Sequence, residues 1–194
     1  LNRKINEKFA IELNKHHIDI IIAPQFSYKS LSILKNKKRL VILKSNKCKI
    51  DTKLSETKTI IGGYIKQDLD NIIMDKKILK CVTKNQVNKK TLDDMFFAFT
   101  ICKYVNSNAI VLVKNQQILG IGAGQTNRLE SINIAIKKMK KNFPNSKNYA
   151  LASDGFLPFV DNIKILKNNN CRVIIQPGGS INDKKVINMA NLLN

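Results

Sequence analysis

Residues 104–128, YVNSNAIVLVKNQQILGIGAGQTNR, constrain the fold more than any other stretch of this chain. Ala109-Ile-Val-Leu-Val113 is an apolar run of β type, Lys114-Asn-Gln-Gln117 is a polar turn, and Ile118 to Ile121 returns as a second strand. The simplest local structure is a β-hairpin. Gly120, Gly122 and Gly124 occupy alternate positions on its far arm. Glycines so placed let the backbone approach a ligand or another backbone, and a tight structural turn fits the local pattern better. Ser107-Asn108-Ala109, small and polar, leads into the first strand.

Elsewhere helices and strands alternate. Ile5, Phe9, Ile11 and Leu13 have helical spacing, and that helix should end near His16 and His17, where a helix C-terminus favours a base. Ile18 to Ala23, closed by Pro24, reads as a buried parallel strand. Ser27 or Ser30 caps a helix through Leu34, and Arg39 to Leu43 is the next strand. Thr59 to Gln67 reads as a strand interrupted by Gly62-Gly63, which suggests a bulge or a close approach. A further strand is predicted at Ile78 to Thr83. Thr91 is the expected N-cap of a core helix that carries Asp94 in its first turn, with Met95, Phe96, Phe99, Ile101 and Cys102 as its apolar positions. Asn127-Arg-Leu-Glu130 resembles a capping box for a helix to about Lys141. Strand Tyr149 to Ser153, helix Phe159 to Lys167, strand Cys171 to Gln176 and helix Asn182 to Leu192 complete the chain. The alternation predicts an α/β fold with a mixed, mostly parallel sheet, divided near residue 90. Ligands of such sheets gather at the C-terminal strand ends, which makes Ser153 to Phe159 and Gln176 to Ser180 candidate site segments beside the hairpin.

Composition narrows the class. At 194 residues and 43% hydrophobic content the chain can bury a real core. No apolar run approaches the ~20 residues of a membrane span, and no signal peptide opens the chain, so a soluble cytoplasmic protein without membrane partners is expected. The first residue is Leu1 rather than Met, which hints at part of a larger protein. Cys48, Cys81, Cys102 and Cys171 are scattered, with no Cys-x-x-Cys and no nearby His, as for reduced, mostly buried thiols rather than zinc ligands or disulfides. The net charge of +20 invites a nucleic-acid reading. Only four of the 34 basic residues are Arg, however, and Lys, Ile and Asn, which share A/T-rich codons, dominate the chain. The lysines are dispersed without interleaved aromatics, so drifted surface charge explains them better and no nucleic-acid partner is expected.

Four segments become diagnostic together: SNAIV at 107–111, GIGAGQ at 120–125 with Arg128 beyond, SDGFLPF at 153–159 and IQPGGS at 175–180. In this order and spacing they resemble the C-terminal half of the transformylase domain of the bifunctional purine biosynthesis family, which joins AICAR formyltransferase and IMP cyclohydrolase activities. IIIAPQF at 20–26, Gly62-Gly63 with Gln67-Asp68, and the helix from Asp94 into Asn108 extend the resemblance over essentially the whole chain. It implies a cytidine-deaminase-like, three-layer α/β/α sandwich without the deaminase zinc. Residues 1–90 would be a partial first subdomain, and residues 91–194 a second one lacking its final strand. The implied reaction moves a formyl group from 10-formyltetrahydrofolate, the co-substrate, to the 5-amine of AICAR, giving FAICAR, which a separate domain cyclises to IMP. A homodimer is implied for the complete protein.

The resemblance also implies roles. A ring amine conjugated with a carboxamide is a poor nucleophile, so the reaction needs a base, an oxyanion stabiliser and tight positioning. Asn108 matches the family's catalytic asparagine, with a turn cap as the alternative. Phe156 and Pro158 match positions that pack on the substrate rings, and Asn162 and Asp154 join the substrate-binding set. Phe156 could equally be core, and Asp154 the N-cap of the next helix. Arg128, Leu129 and Ser180 are the folate-side candidates, with simple charge neutralisation as the rival for Arg128 and a purely structural turn for Gln176 to Ser180. Asp154 and the backbone around Cys102 to Ser107 match a region that holds a structural potassium ion in some members. The cyclohydrolase domain, the family's catalytic Lys-His pair and its C-terminal aromatic motif are not in this sequence. The resemblance thus implies a transformylase segment that works within a complete protein, with a degenerate non-catalytic fragment as the competing reading. Smaller departures are Gly155 for Ala, Leu157 for Phe and Phe99 for Trp.

Overall fold

The computed structural model describes residues 1–45, 55–70 and 74–193, so Cys48 and much of the Lys- and Thr-rich connection lie outside the described residues. The chain divides into two compact units, Leu1–Asn71 and Ile72–Asn194.

The first unit opens with α1 (Glu7–Asn14), whose N-cap Asn6 accepts the Phe9 N–H at 2.9 Å. Next come β1 (Ile20–Ala23), α2 (Tyr28–Leu34) and β2 (Val41–Lys44). Of the two serines that could cap α2, Ser27 does so, its hydroxyl accepting the Ser30 N–H at 3.1 Å. β1 and β2 pair in parallel, as a strand–helix–strand crossover requires. Ile21 and Ala23 pack with Ile5, Ala10 and Leu34. Their neighbours Ile20 and Ile22 are about half exposed, at 56% and 48%, so β1 is parallel but buried on one face only. β3 (Ser55–Ile60) and β4 (Gly63–Asp68) form an antiparallel hairpin. Gly62-Gly63 is therefore neither a bulge nor a close approach. Gly62, at φ +84°, sits in the turn, and a Cβ on either glycine would meet nothing within 4 Å.

The second unit begins with a 3-10 turn at Lys76–Ile78, where a strand was expected from Ile78 to Thr83. Asp75 wins locally: its carboxylate accepts the Lys77 N–H at 2.9 Å and its carbonyl the Ile78 N–H, a turn that competes with extension. Helix α3 (Lys89–Cys102) starts earlier than expected, because Asn88 rather than Thr91 is the N-cap. The Asn88 side-chain Oδ1 accepts the Thr91 N–H at 2.9 Å. The remaining elements are β5 (Ile110–Lys114), β6 (Gln117–Gly122), α4 (Arg128–Asn142), β7 (Tyr149–Ser153), α5 (Val160–Asn168), β8 (Cys171–Ile175) and α6 (Asp183–Leu193).

The sheet order is β6-β5-β7-β8. Only β7 and β8 pair in parallel; β5 pairs antiparallel with both neighbours, so the expectation of a mostly parallel sheet fails. The reason is the hairpin. Asn115 and Gln116, at φ 52° and 57°, make a two-residue turn that reverses the chain, and this inserts β5 between two strands that run the other way. The strands separated by helices, β6, β7 and β8, do share one direction.

Both faces of this sheet are covered. Ile110, Leu112 and Leu151 pack with Ile132, Ile136 and Met139 of α4, Leu166 of α5 and Val186 of α6. Val111, Val113 and Ala152 pack with Ala98 and Cys102 of α3 on the other side. Two covered faces explain why β5 is an unbroken apolar run rather than an alternating one. Of the described cysteines, Cys102 is buried, Cys171 is half-buried and Cys81 is exposed, and all three are free. Burial pushes the Cys102 and Cys171 thiols up to about 12. Among the described residues no helix is long and apolar enough to cross a membrane.

Candidate functional site

The glycines set the site's frame. A Cβ at Gly120 would overlap the backbone carbonyl of Ala135, and one at Gly122 that of Ser131. These two glycines therefore let β6 lie directly against the backbone of α4. Of the two partners expected for them, another backbone is the one observed. Gly124, at φ +66°, turns the chain between β6 and α4 and donates its N–H to the Asn106 carbonyl at 2.8 Å. Asn127 caps α4 by accepting the Leu129 N–H at 2.8 Å. This turn brings Gln125 and Arg128 over the start of β5.

Asn108 lies there, immediately before β5, and is held on every side. Its backbone N–H and its side-chain amide Nδ2 both donate to the Gln125 carbonyl, at 3.2 and 2.7 Å. Its own carbonyl accepts the Ser131 hydroxyl at 2.8 Å. The side-chain amide is thereby oriented with Nδ2 inward, which leaves Oδ1 as the group available to a ligand. Asn108 is only half-buried.

Asp154 ties the end of β7 to the same corner. Its Oδ1 accepts the Ala109 N–H at 3.0 Å and the Arg128 guanidinium, while Arg128 also donates to the Ser153 hydroxyl at 2.9 Å. Burial pushes the Asp154 carboxyl up, but hydrogen bonds from Ser107, Arg128 and Ala109, with the charge of Arg128, outweigh it and hold the carboxyl below its usual range. Helix α5 starts six residues later, with Phe159 at its N-cap position, so Asp154 does not cap it. Arg128 is turned inward, its side chain 16% exposed. Gly155 gives it room: a Cβ there would stand 2.6 Å from the guanidinium.

The region that the resemblance links to potassium has hydrogen bonds of its own: Asp154 pairs with Arg128, the Cys102 carbonyl accepts the Val105 N–H, and the Asn106 carbonyl accepts that of Gly124. Each carbonyl keeps a second lone pair, so these groups can also face a cation.

The 155–159 loop is fastened from β8. Gln176 Oε1 accepts the Leu157 N–H at 2.5 Å, and Leu157 is fully buried in the core. Its neighbours are left outward: Phe156 is 42% and Phe159 63% exposed, and Pro158 is half-buried. Phe156 is thus not core. Asn162, in the first turn of α5, is 2% exposed and lies inside the fold. Ser180 accepts the Asn182 N–H at 3.1 Å and Asp183 accepts that of Gly179 at 2.7 Å, so the Gly178-Gly179 turn is braced from both sides of α6's start. Leu129 is half-buried beside Arg128.

The structure therefore brings Ser107, Asn108, Arg128 and Asp154 into one network and sets Phe156 and Pro158 on the neighbouring loop. Ser131 alone of the partners escapes a reading of the sequence; Ser153 and Gln176 lie in the candidate segments and Gln125 in the GIGAGQ stretch, though their contacts there are new. Ser131 did leave a signal, as a hydroxyl on the helix face otherwise formed by Ile132, Ala135, Ile136 and Met139, all buried. A concavity of about 430 Å³ at the hairpin-turn end, lined by Lys114, Asn115, Phe143 and Pro144 among others, has none of these residues in its lining.

A mixed α/β unit with polar groups converging at one end of its two central strands is the class defined so far, and the sequence comparisons specify the family. Residues 1–138 match the model of the AICARFT/IMPCHase bienzyme family. The chain belongs to that family. It is 43% identical over 192 residues to the bifunctional purine biosynthesis protein PurH of Prochlorococcus marinus subsp. pastoris, covering 98% of this chain and 37% of that protein. Identity to the same-named protein of Caldicellulosiruptor bescii is 39% over 193 residues, and to that of Staphylococcus aureus strain MRSA252 37% over 191 residues, covering 37% and 38% of those proteins. The chain thus spans somewhat more than a third of the length of these relatives.

Proposed function

We propose that the chain supplies part of the formyl-transfer site of a purine-biosynthetic enzyme, in which 10-formyltetrahydrofolate donates a formyl group to the 5-amine of AICAR. The observation that carries this reading is the fixed amide of Asn108 at the start of β5, with Nδ2 tied to Gln125 and Oδ1 without a partner among the described contacts. Family membership supports the substrate class.

In this reading Oδ1 accepts a hydrogen bond from the AICAR 5-amine. That contact directs the amine lone pair at the formyl carbon without the asparagine itself titrating. As the carbon–nitrogen bond forms, the carbonyl electrons move to oxygen; their return re-forms the carbonyl and breaks the bond to folate N10, and the proton lost by the amine passes, by way of solvent, to N10. Phe156 and Pro158 pack on the planar rings, Leu129 and Ser180 border the folate, and Asn162 supports the loop from within. Arg128 serves the site chiefly through Asp154, because its guanidinium is committed there. The enclosing fold is read as a three-layer, cytidine-deaminase-like sandwich, divided into two subdomains near residue 90, in a cytoplasmic homodimer.

Asn108→Ala in the formyltransferase that carries this sequence tests the reading. Turnover should fall about 10²–10³-fold, the range for losing one positioned polar group, while the circular dichroism spectrum stays that of the parent. Unchanged turnover would remove Asn108 from the site.

A further inference from the structure

We infer that Ser131 is a positioning residue for Asn108, an inference that rests on the formyl-transfer reading above. Ser131 sits in the first turn of α4 and is fully buried. Its hydroxyl donates to the Asn108 carbonyl at 2.8 Å across 23 residues of sequence. A helical serine can return its hydroxyl to a carbonyl of its own helix; this one reaches out to the segment before β5 instead.

The neighbouring contacts show what that bond adds. The Asn108 side chain is held on one side by the Gln125 carbonyl, and the following residue, Ala109, by Asp154. The Asn108 carbonyl is the remaining backbone group of that residue, and Ser131 alone takes it among the described contacts. With it, the peptide plane between Asn108 and Ala109 is fixed at both ends, by Ser131 at the carbonyl and by Asp154 at the N–H. The direction of Oδ1 follows from that plane and from the Gln125 anchor. Gly122 makes the arrangement possible, because only a residue without Cβ lets α4 bring Ser131 close enough to the hairpin. The spaced glycines and the asparagine are thus parts of one device, with Ser131 as its link.

If Ser131 acts through Asn108, the two substitutions must be non-additive. Turnover with AICAR and 10-formyltetrahydrofolate is measured for the parent enzyme, Ser131→Ala, Asn108→Ala and the double variant, with thermal unfolding of each as a check. Ser131→Ala should lower kcat about tenfold in the parent, and less than about twofold once Asn108 is already alanine. An equal fold loss in both backgrounds, or no loss in the parent, overturns the inference. Ser131→Cys keeps the volume and a weak donor; should the alanine variant fail to fold, the same cycle run with cysteine decides by the same criterion. Failure of the underlying reading looks different. There Asn108→Ala itself retains the parent's kcat, whatever Ser131 does.

Discussion

Strands β1 and β5 carry similar sequence and end in different surroundings. Ile20-Ile-Ile-Ala23 and Ile110-Val-Leu-Val113 are both short apolar runs, the first leading through α2 into a parallel strand and the second through a tight turn into an antiparallel one. Along β5 every residue from Ile110 to Val113 is buried, whereas β1 alternates exposed and buried. The difference lies outside the strands. α3 covers one face of β5 while α4, α5 and α6 cover the other, but in the first unit Ile5, Ala10 and Leu34 form a core on one face of β1 only. An apolar run therefore licenses two covered faces without supplying them. The glycines make the same point: Gly120 and Gly122 meet a helix backbone, and Gly62 and Gly63 meet open space. The residue type is identical; the packing partner decides what it is for.

The largest test of this contrast is a methyl group. Gly122→Ala drives a Cβ into the Ser131 backbone carbonyl, and neither side is a flexible side-chain end that can step aside. The loss should exceed about 4 kcal/mol, beyond the usual range for one substitution, with hydrogen-exchange protection lost across β5 and β7. Gly62→Ala has free space and only its φ of +84° to strain, so about 1–2 kcal/mol is expected. Denaturant unfolding compares the two, and equal losses would mean that the helix contact at Gly122 relaxes.

Asp154→Asn probes how charge, rather than packing, holds the same corner. The aspartate's folded pKa is depressed, so its stabilisation is present above the ordinary carboxylate range and is lost as pH falls through the folded value. At neutral pH the substitution should cost about 2 kcal/mol, as for hydrogen bonds to a charged group. The parent's unfolding midpoint should fall toward that of the variant as the solution is acidified below the usual carboxylate range. A constant gap between the two down to strongly acidic pH would show that ionisation of Asp154 does not contribute.

Much of this was readable from residues alone, and the failures share a cause. The hairpin, the Asn127 cap, the run of alternating helices and strands after it, and Asn108 with Asp154 and Arg128 all follow from local pattern or the family resemblance. What failed was decided by competition or by partners distant in sequence. Asn88 displaced Thr91 as a cap three residues away, and Asp75 formed a 3-10 turn that ends at Ile78, where the expected strand would have begun. Asp94, expected to serve its own helix's dipole, instead accepts the Asn115 and Gln116 N–H groups at 2.9 and 2.7 Å and braces the hairpin turn. The pairing of Arg128 with Asp154 likewise depends on the end of β7 delivering the carboxylate to it. Ser131 reaches Asn108 only after α4 has settled on the glycines. Asp94, Arg128 and Ser131 meet partners at least 21 residues away, which local spacing could not reveal, whereas Asn88 and Asp75 act locally and win by competition.

The smallest expected effect tests the exposed side of the comparison. Ile22 and Leu43 are register partners on the uncovered face of β1 and β2, each nearly half exposed. Threonine keeps the β-branch that suits a strand and removes apolar surface from water. Ile22→Thr should therefore change unfolding free energy by no more than about 0.5 kcal/mol, the range for surface positions away from special contacts. The same replacement at Ile21, which is 4% exposed on the opposite face, removes apolar contacts and leaves a hydroxyl in the core, and should cost several times as much. If the two substitutions cost the same, the outer face of this sheet is covered in solution, and the contrast between β1 and β5 reduces to which neighbour does the covering.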